Sequence, residues 1–131
     1  SYRGLWLIKE ANQAVARELS EGDPEREVVL GAFADESGRE IEIGVARYLA
    51  SADGRHCDCA VTVDPAWQNL GVGRALMHRL IDMARARGVR RMYAVDAVRC
   101  AGAHTLAERL GFHPRPDPED PVATTFELIL E

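Results

Sequence analysis

Apolar residues along this 131-residue chain fall into short runs that alternate or repeat at helical spacing, and polar turns separate the runs. Leu5, Ile8, Ala11, Val15 and Leu19 recur at three- and four-residue intervals, which predicts a helix over 5–20. Leu5-Trp6-Leu7-Ile8 also reads as a short strand, so the start of this segment stays open between the two. Gly22-Asp23-Pro24 breaks it. Val28 to Ala34 is a compact apolar run and predicts a strand. Asp35-Glu36-Ser37-Gly38-Arg39 is a polar turn, and Ile41 to Ala50 is a second strand, so the two form an antiparallel hairpin. Ser51 to His56 is another glycine-containing turn, and Cys57 to Val63 adds a third strand to the meander.

Asp64-Pro65 ends that strand. From Gly71 the spacing becomes helical: Leu76, Leu80, Met83 and Ala84 form one stripe, widened by Met77 and Ile81. Gly88 stops this helix, with Arg85 and Arg87 in its last turn, where cations suit the helix dipole. Met92 to Val98 is the next strand. His104 to Leu110 is a short helix closed by Gly111. Arg115 to Pro121, rich in proline and acid, reads as an exposed loop, and Val122 to Leu130 as a last strand. The order is helix, three strands, helix, strand, helix, strand. That is an α+β fold with a mixed sheet, in a single domain spanning 1–131.

Composition adds limits. The net charge of −5 argues against a nucleic-acid partner, because phosphate backbones select a basic face. The same sign argues against an anionic membrane surface, and no apolar run approaches the length of a membrane span. A basic partner, such as a lysine side chain or a polyamine, fits the sign, although such a charge also serves solubility alone. Cys57, Cys59 and Cys100 make an odd number, with no second cysteine pair or histidine cluster. They read as reduced thiols of a cytoplasmic protein, with no metal site.

The chemistry concentrates in Val61-Thr62-Val63-Asp64-Pro65-Ala66-Trp67-Gln68-Asn69-Leu70-Gly71-Val72-Gly73-Arg74. Here a strand enters a glycine-containing turn that opens the long helix. The first helical turn carries unpaired N–H groups and a partial positive charge, a combination that binds phosphate. Gly71 and Gly73 let the backbone approach a ligand closely. Two glycines alone are also what an ordinary tight turn needs. No Lys-Ser or Lys-Thr pair follows them, which excludes a nucleotide P-loop. The absence of a third glycine leaves a dinucleotide fold unsupported.

With these residues in view, the chain resembles the GNAT superfamily of N-acetyltransferases. Gln68-x-x-Gly71-x-Gly73 matches the family's Q/R-x-x-G-x-G/A signature. Val63-Asp64-Pro65 precedes it at the usual distance, and Arg74-Ala75-Leu76-Met77 carries it into the helix. Leu106-Ala107-Glu108-Arg109-Leu110-Gly111-Phe112 is similar to the family's second hallmark, L-x-x-x-x-G-F. The likeness runs from about Val28 to Phe112. Gly44-Val45-Ala46-Arg47-Tyr48 looks closest to bacterial domains of the protein-lysine acetyltransferase type.

The resemblance implies a mostly antiparallel mixed sheet flanked by helices, with the N-terminal elements shortened or missing. It implies acetyl-CoA as cosubstrate and direct acyl transfer to an amine, either a protein lysine or a small molecule. The turn from Gln68 through Asn69, Gly71, Val72 and Gly73 to Arg74 would wrap the CoA pyrophosphate. The backbone of Val61 and Val63 would pair with the pantetheine arm like an added strand. The strands ending near Val63 and starting near Met92 would splay to admit the thioester.

Amine attack needs a base. Asp58, near the place where related domains often carry a glutamate, is the candidate. A one-residue register shift would turn it away from the site. The tyrosine acid that many relatives carry falls at about Ala107 and is absent, so water would return the proton. His104, one turn earlier, is a weaker candidate. Cys100 stands where the family often has an asparagine on the pantetheine, and cysteine keeps only a weak donor. Leu70 replaces a frequent arginine, which removes one phosphate contact. Trp67 is expected beneath the turn, and Tyr48 and Tyr93 within the sheet. These departures keep a second class open beside the enzyme: an acyl-CoA-binding module with weak catalysis. A homodimer formed through the last strand is a further expectation.

Overall fold

The computed structural model describes residues 6–10, 26–97, 106–117 and 120–130. Its centre is one seven-stranded sheet with the order β1-β2-β3-β4-β5-β7-β6. The strands are β1 (Trp6–Glu10), β2 (Glu27–Glu36), β3 (Arg39–Ala50), β4 (His56–Val63), β5 (Arg91–Ala97), β6 (His113–Asp117) and β7 (Asp120–Ile129). Among the described strands only β4 and β5 pair in parallel, and the helix α1 (Val72–Ala86) lies in the connection between them. A parallel pair needs such a crossover.

The helix expected over 5–20 is corrected at its described part. Trp6–Glu10 is a strand, paired antiparallel to β2 from Trp6↔Ala34 to Glu10↔Leu30. Trp6 and Ile8 pack against the core while Leu7 and Lys9 face out, so period two prevails over the helical stripe. The resemblance leads one to expect N-terminal elements that are shortened or missing, and this five-residue strand opens the sheet. The rest of the expected helix lies outside the described residues.

The β2–β3 hairpin forms as expected, closing through Glu36↔Arg39 around Ser37 and Gly38, both at positive φ. That is the two-residue turn whose twist matches the strands. On β2, Val28, Leu30, Ala32 and Ala34 turn to one face, and Ala46, Tyr48, Cys57, Cys59 and Met92 continue it across the sheet. Helix α1 covers this face with Val72, Leu76, Met77, Leu80, Ile81 and Ala84. Each large side chain so buried contributes roughly 1.5–3 kcal/mol. Gly44 lets the helix sit close: a methyl there would stand 3.1 Å from Leu76 and 3.2 Å from Val72. Tyr48 is fully buried, and its hydroxyl takes a hydrogen bond from Arg87; burial pushes its pKa up against the pull of that cation.

Residues 106–109 are helical, and Gly111 ends them at φ 94°. Phe112 N–H donates to Ala107 C=O (3.0 Å) and Gly111 N–H to Glu108 C=O (3.1 Å), with Phe112 buried. This is the Schellman motif, and it gives the Gly-Phe pair its physical reason. The end of α1 repeats it through Gly88 and the buried Val89.

The loop expected over 115–121 is also corrected. His113–Asp117 forms β6 on the sheet edge, and β7 begins at Asp120. Leu130 N–H donates to Arg90 C=O, so by alternation the even residues of β7 turn their backbone toward β5. Glu127 and Thr125 therefore face His113 and Arg115 of β6, and the nitrogens of Pro114 and Pro116 point outward. Proline is tolerated in this place because no ladder bond is lost. Because β7 lies between β5 and β6, it has no free edge through which to dimerise.

Candidate active site

β4 and β5 start together and then part. Their pairing runs from His56↔Arg91 to Cys59↔Ala94 and stops, although β4 continues to Val63 and β5 to Ala97. His56 C=O accepts from Ser51 N–H, and Asp64 N–H donates to Ile43 C=O. Even residues of β4 therefore turn their backbone toward β3, and odd ones toward β5. Beyond Cys59 the groups that face the gap belong to Val61 and Val63. The Gln68 side-chain amide donates to Val63 C=O at 3.3 Å and spans the start of the turn.

The turn itself is fixed by local chemistry. The Asp64 carboxylate accepts from Ala66 N–H (2.9 Å) and starts one 3-10 turn over Pro65–Trp67. Trp67 is buried under it. Asn69 and Gly71 both take left-handed backbone, at φ 64° and 85°. Asparagine tolerates that region and glycine is at home there. Gly71 is the N-cap of α1 and offers no side chain, and the first helical bond runs from Ala75 N–H to Gly71 C=O (3.0 Å). Among the described residues, the N–H groups of Val72, Gly73 and Arg74 therefore meet no acceptor. Gly73 packs against Val63 and Leu106, so the helix start sits against the open end of β4. Leu70 is exposed beside the turn.

This arrangement fits a ligand with an amide-bearing arm and a pyrophosphate: an open strand edge leads into a cluster of unmet N–H groups. Gln68, Asn69, Gly71, Val72, Gly73 and Arg74 all lie on that turn, and Val61 and Val63 lie on the edge. Asp58 is on β4, one residue before the last pair with β5, exposed on the face opposite Cys57 and Cys59. Its carboxylate makes no hydrogen bond or ion pair among the described residues. Ala107, the position at which the resemblance implies a tyrosine, is buried. His104 and Cys100 lie outside the described residues.

One group beside Asp58 is invisible in the sequence. Tyr93, its register partner on β5, stacks edge-on to His56 at 6.0 Å. The Tyr93 hydroxyl bonds to Glu127, which also pairs with Arg115 (3.1 Å) and Arg91 (3.4 Å). Partial burial works against the Glu127 anion, yet these three donors hold its carboxyl below the usual range. Only the register β4-β5-β7 brings the three strands' residues together.

Comparison with known proteins agrees with this geometry. Residues 2–112 match the model of the acetyltransferase (GNAT) family. An acetyltransferase of Pseudomonas aeruginosa is 36% identical over 129 residues, which is 98% of this chain and 69% of that protein. A GNAT-family acetyltransferase of Streptococcus pneumoniae superposes with a TM-score of 0.75 at 18% identity, covering 97% of this chain and 100% of its own. A Salmonella typhimurium protein solved with acetyl-CoA superposes at 0.74 with 24% identity, over 96% and 94% of the two chains. The chain belongs to the acetyltransferase (GNAT) family. It is an acyl-CoA-dependent acetyltransferase whose cosubstrate is acetyl-CoA. Among the described residues, no helix is long and apolar enough to cross a membrane.

Proposed function

We propose that this chain moves the acetyl group of acetyl-CoA to a primary amine, a protein lysine or a small molecule, by direct attack. The observation that carries the reading is the gap between β4 and β5, whose open backbone edge runs into the three unmet N–H groups of α1. Acetyl-CoA supplies an acetyl group already activated as a thioester. Val61 and Val63 offer N–H and C=O groups to the amides of its arm. Gln68, Asn69 and the amides from Gly71 to Arg74 hold its phosphates, without an arginine at Leu70.

An amine arrives protonated and cannot attack in that form. Asp58 is unpartnered among the described residues, near the end of the paired part of β4, and takes that proton directly or through a water. With Ala107 in place of a tyrosine, water protonates the departing thiolate.

The test is calorimetric titration of acetyl-CoA into the parent and a Gly71→Glu variant. The variant sets a carboxylate among the phosphate-facing amides and should lose at least about tenfold in affinity. A parent that binds no acetyl-CoA sinks the reading. Asp58→Asn should keep that affinity and lose turnover by about a hundredfold; undiminished turnover removes Asp58 as the base.

A further inference from the structure

One row of side chains crosses the sheet on the face away from α1. Register places Glu27, Leu49, Asp58, Tyr93, Glu127 and His113 opposite one another, from β2 to β6. All six share that face, because the neighbours Val28, Tyr48, Cys57, Met92, Phe126 and Phe112 are buried on the other side. Three of the six are carboxylates, and they differ in one respect. Glu127 is saturated by Tyr93, Arg91 and Arg115. Asp58 and Glu27 make no hydrogen bond or ion pair among the described residues.

Glu27 is the unusual member. Only 8% of it is exposed, and it is the one charged residue of the described chain that is buried. A carboxylate withdrawn from water without a donor or cation is unfavourable, and buried charges are ordinarily paired. Arg47, the next residue on this face of β3, pairs with neither carboxylate among the described residues. Between Glu27 and Asp58 stands Leu49, an apolar side chain left 42% exposed. Two strand spacings separate the carboxylate-bearing backbones, about 10 Å. The row therefore offers an anion, an apolar step and a second anion.

We infer that Glu27, Leu49 and Asp58 form an acceptor subsite for an amine with two ammonium groups on an aliphatic stem, a short α,ω-diamine or a longer polyamine. The inference rests on the acetyltransferase reading and narrows its acceptor. One ammonium sits at Asp58, where it loses its proton and attacks. The stem lies along Leu49. The far ammonium stays charged and pairs with Glu27. A monoamine reaches only one carboxylate, and a lysine stem leads to a peptide backbone, which cannot pair with Glu27. The chain's net charge of −5 favours the approach of such a dication.

Binding and turnover separate the two claims. Calorimetry with 1,4-diaminobutane and with n-butylamine reads the subsite without the reaction. The diamine should bind about tenfold tighter, the worth of one charge-assisted contact. Glu27→Gln should bring it down to the butylamine level, and the exposed Leu49→Lys, which sets a cation between the carboxylates, should do the same. Thermal melts confirm that both variants fold. Equal binding of the two amines by the parent, or a diamine preference that survives both substitutions, overturns the subsite. Acetyl-CoA turnover on both amines is then followed by thiol release. A diamine that binds in the stated way but is never acetylated leaves the subsite standing and defeats the acetyltransferase reading. Equal kcat/KM for the two amines leaves the reaction standing and defeats the subsite.

Discussion

Gly73 faces Val63 across the start of α1: a methyl on Gly73 would stand 3.4 Å from Val63 Cγ2 and equally far from Leu106. That distance is ordinary van der Waals contact. Gly73→Ala should therefore keep the fold and the acetyl-CoA affinity. Gly73→Leu has no such room. It should destabilise by about 1–3 kcal/mol, as overpacking does, and weaken acetyl-CoA binding because α1 is pushed off β4. Denaturant melts and titration of both variants check this; a leucine variant as tight and stable as the parent contradicts it.

Gly111 holds a left-handed backbone that an alanine adopts only with strain. Space is not the obstacle, since the nearest side chain, Leu128, would be 3.6 Å from the added methyl. Gly111→Ala should lower stability by about 1–2 kcal/mol, read as a fall in Tm. An unchanged Tm would mean that the Schellman turn relaxes without cost.

The donors around Glu127 give a pH signature. Its folded-state pKa is lowered, so the contribution is present above the ordinary carboxyl value of 4.5 and is lost as pH falls through the lowered value. Glu127→Gln should melt below the parent at neutral pH. The difference should close as the pH drops below 4.5. A gap that persists undiminished in acid would assign the loss to packing instead.

Cys57 and Cys59 are buried under α1, and burial first pushes both thiols up to about 12 from 9.0, helped by Cys59 and then Asp58 at Cys57, and by Asp58 at Cys59. The folded state keeps both protons where the unfolded chain has released them, so stability falls as pH rises from about 9 toward about 12. In a Cys100→Ser background, a disulfide reagent at pH 8 should label neither thiol faster than the protein opens. Prompt labelling of the native protein would show that the pair is accessible.

The sequence carried much of this fold because local chemistry and tertiary structure agree there. The hairpin at Ser37-Gly38, the turn from Gln68 to Gly73 and the Gly111-Phe112 stop are each written in residues whose backbone preferences leave few choices. Trp6–Glu10 was ambiguous for a physical reason. Five residues fit either period, and only the free edge of β2 decides. The proline-rich stretch misled because an edge strand tolerates what an inner strand does not. Asp58 is legible in the sequence as a carboxylate on the strand that leads to the turn. The face it takes, and its alignment with Glu27 and Tyr93, depend on the register of four strands that lie far apart in the chain.

Pro114 and Pro116 have an effect beyond the strand that holds them. Their nitrogens occupy the outer rim of β6 and have no hydrogen to give, so a strand arriving there finds two acceptor positions unanswered. The opposite rim, at β1, carries no proline. Among the described residues, the β6 rim is therefore the one that proline blunts against an added strand. Two residues that take no part in the proposed chemistry thus make this edge a poor template for another strand.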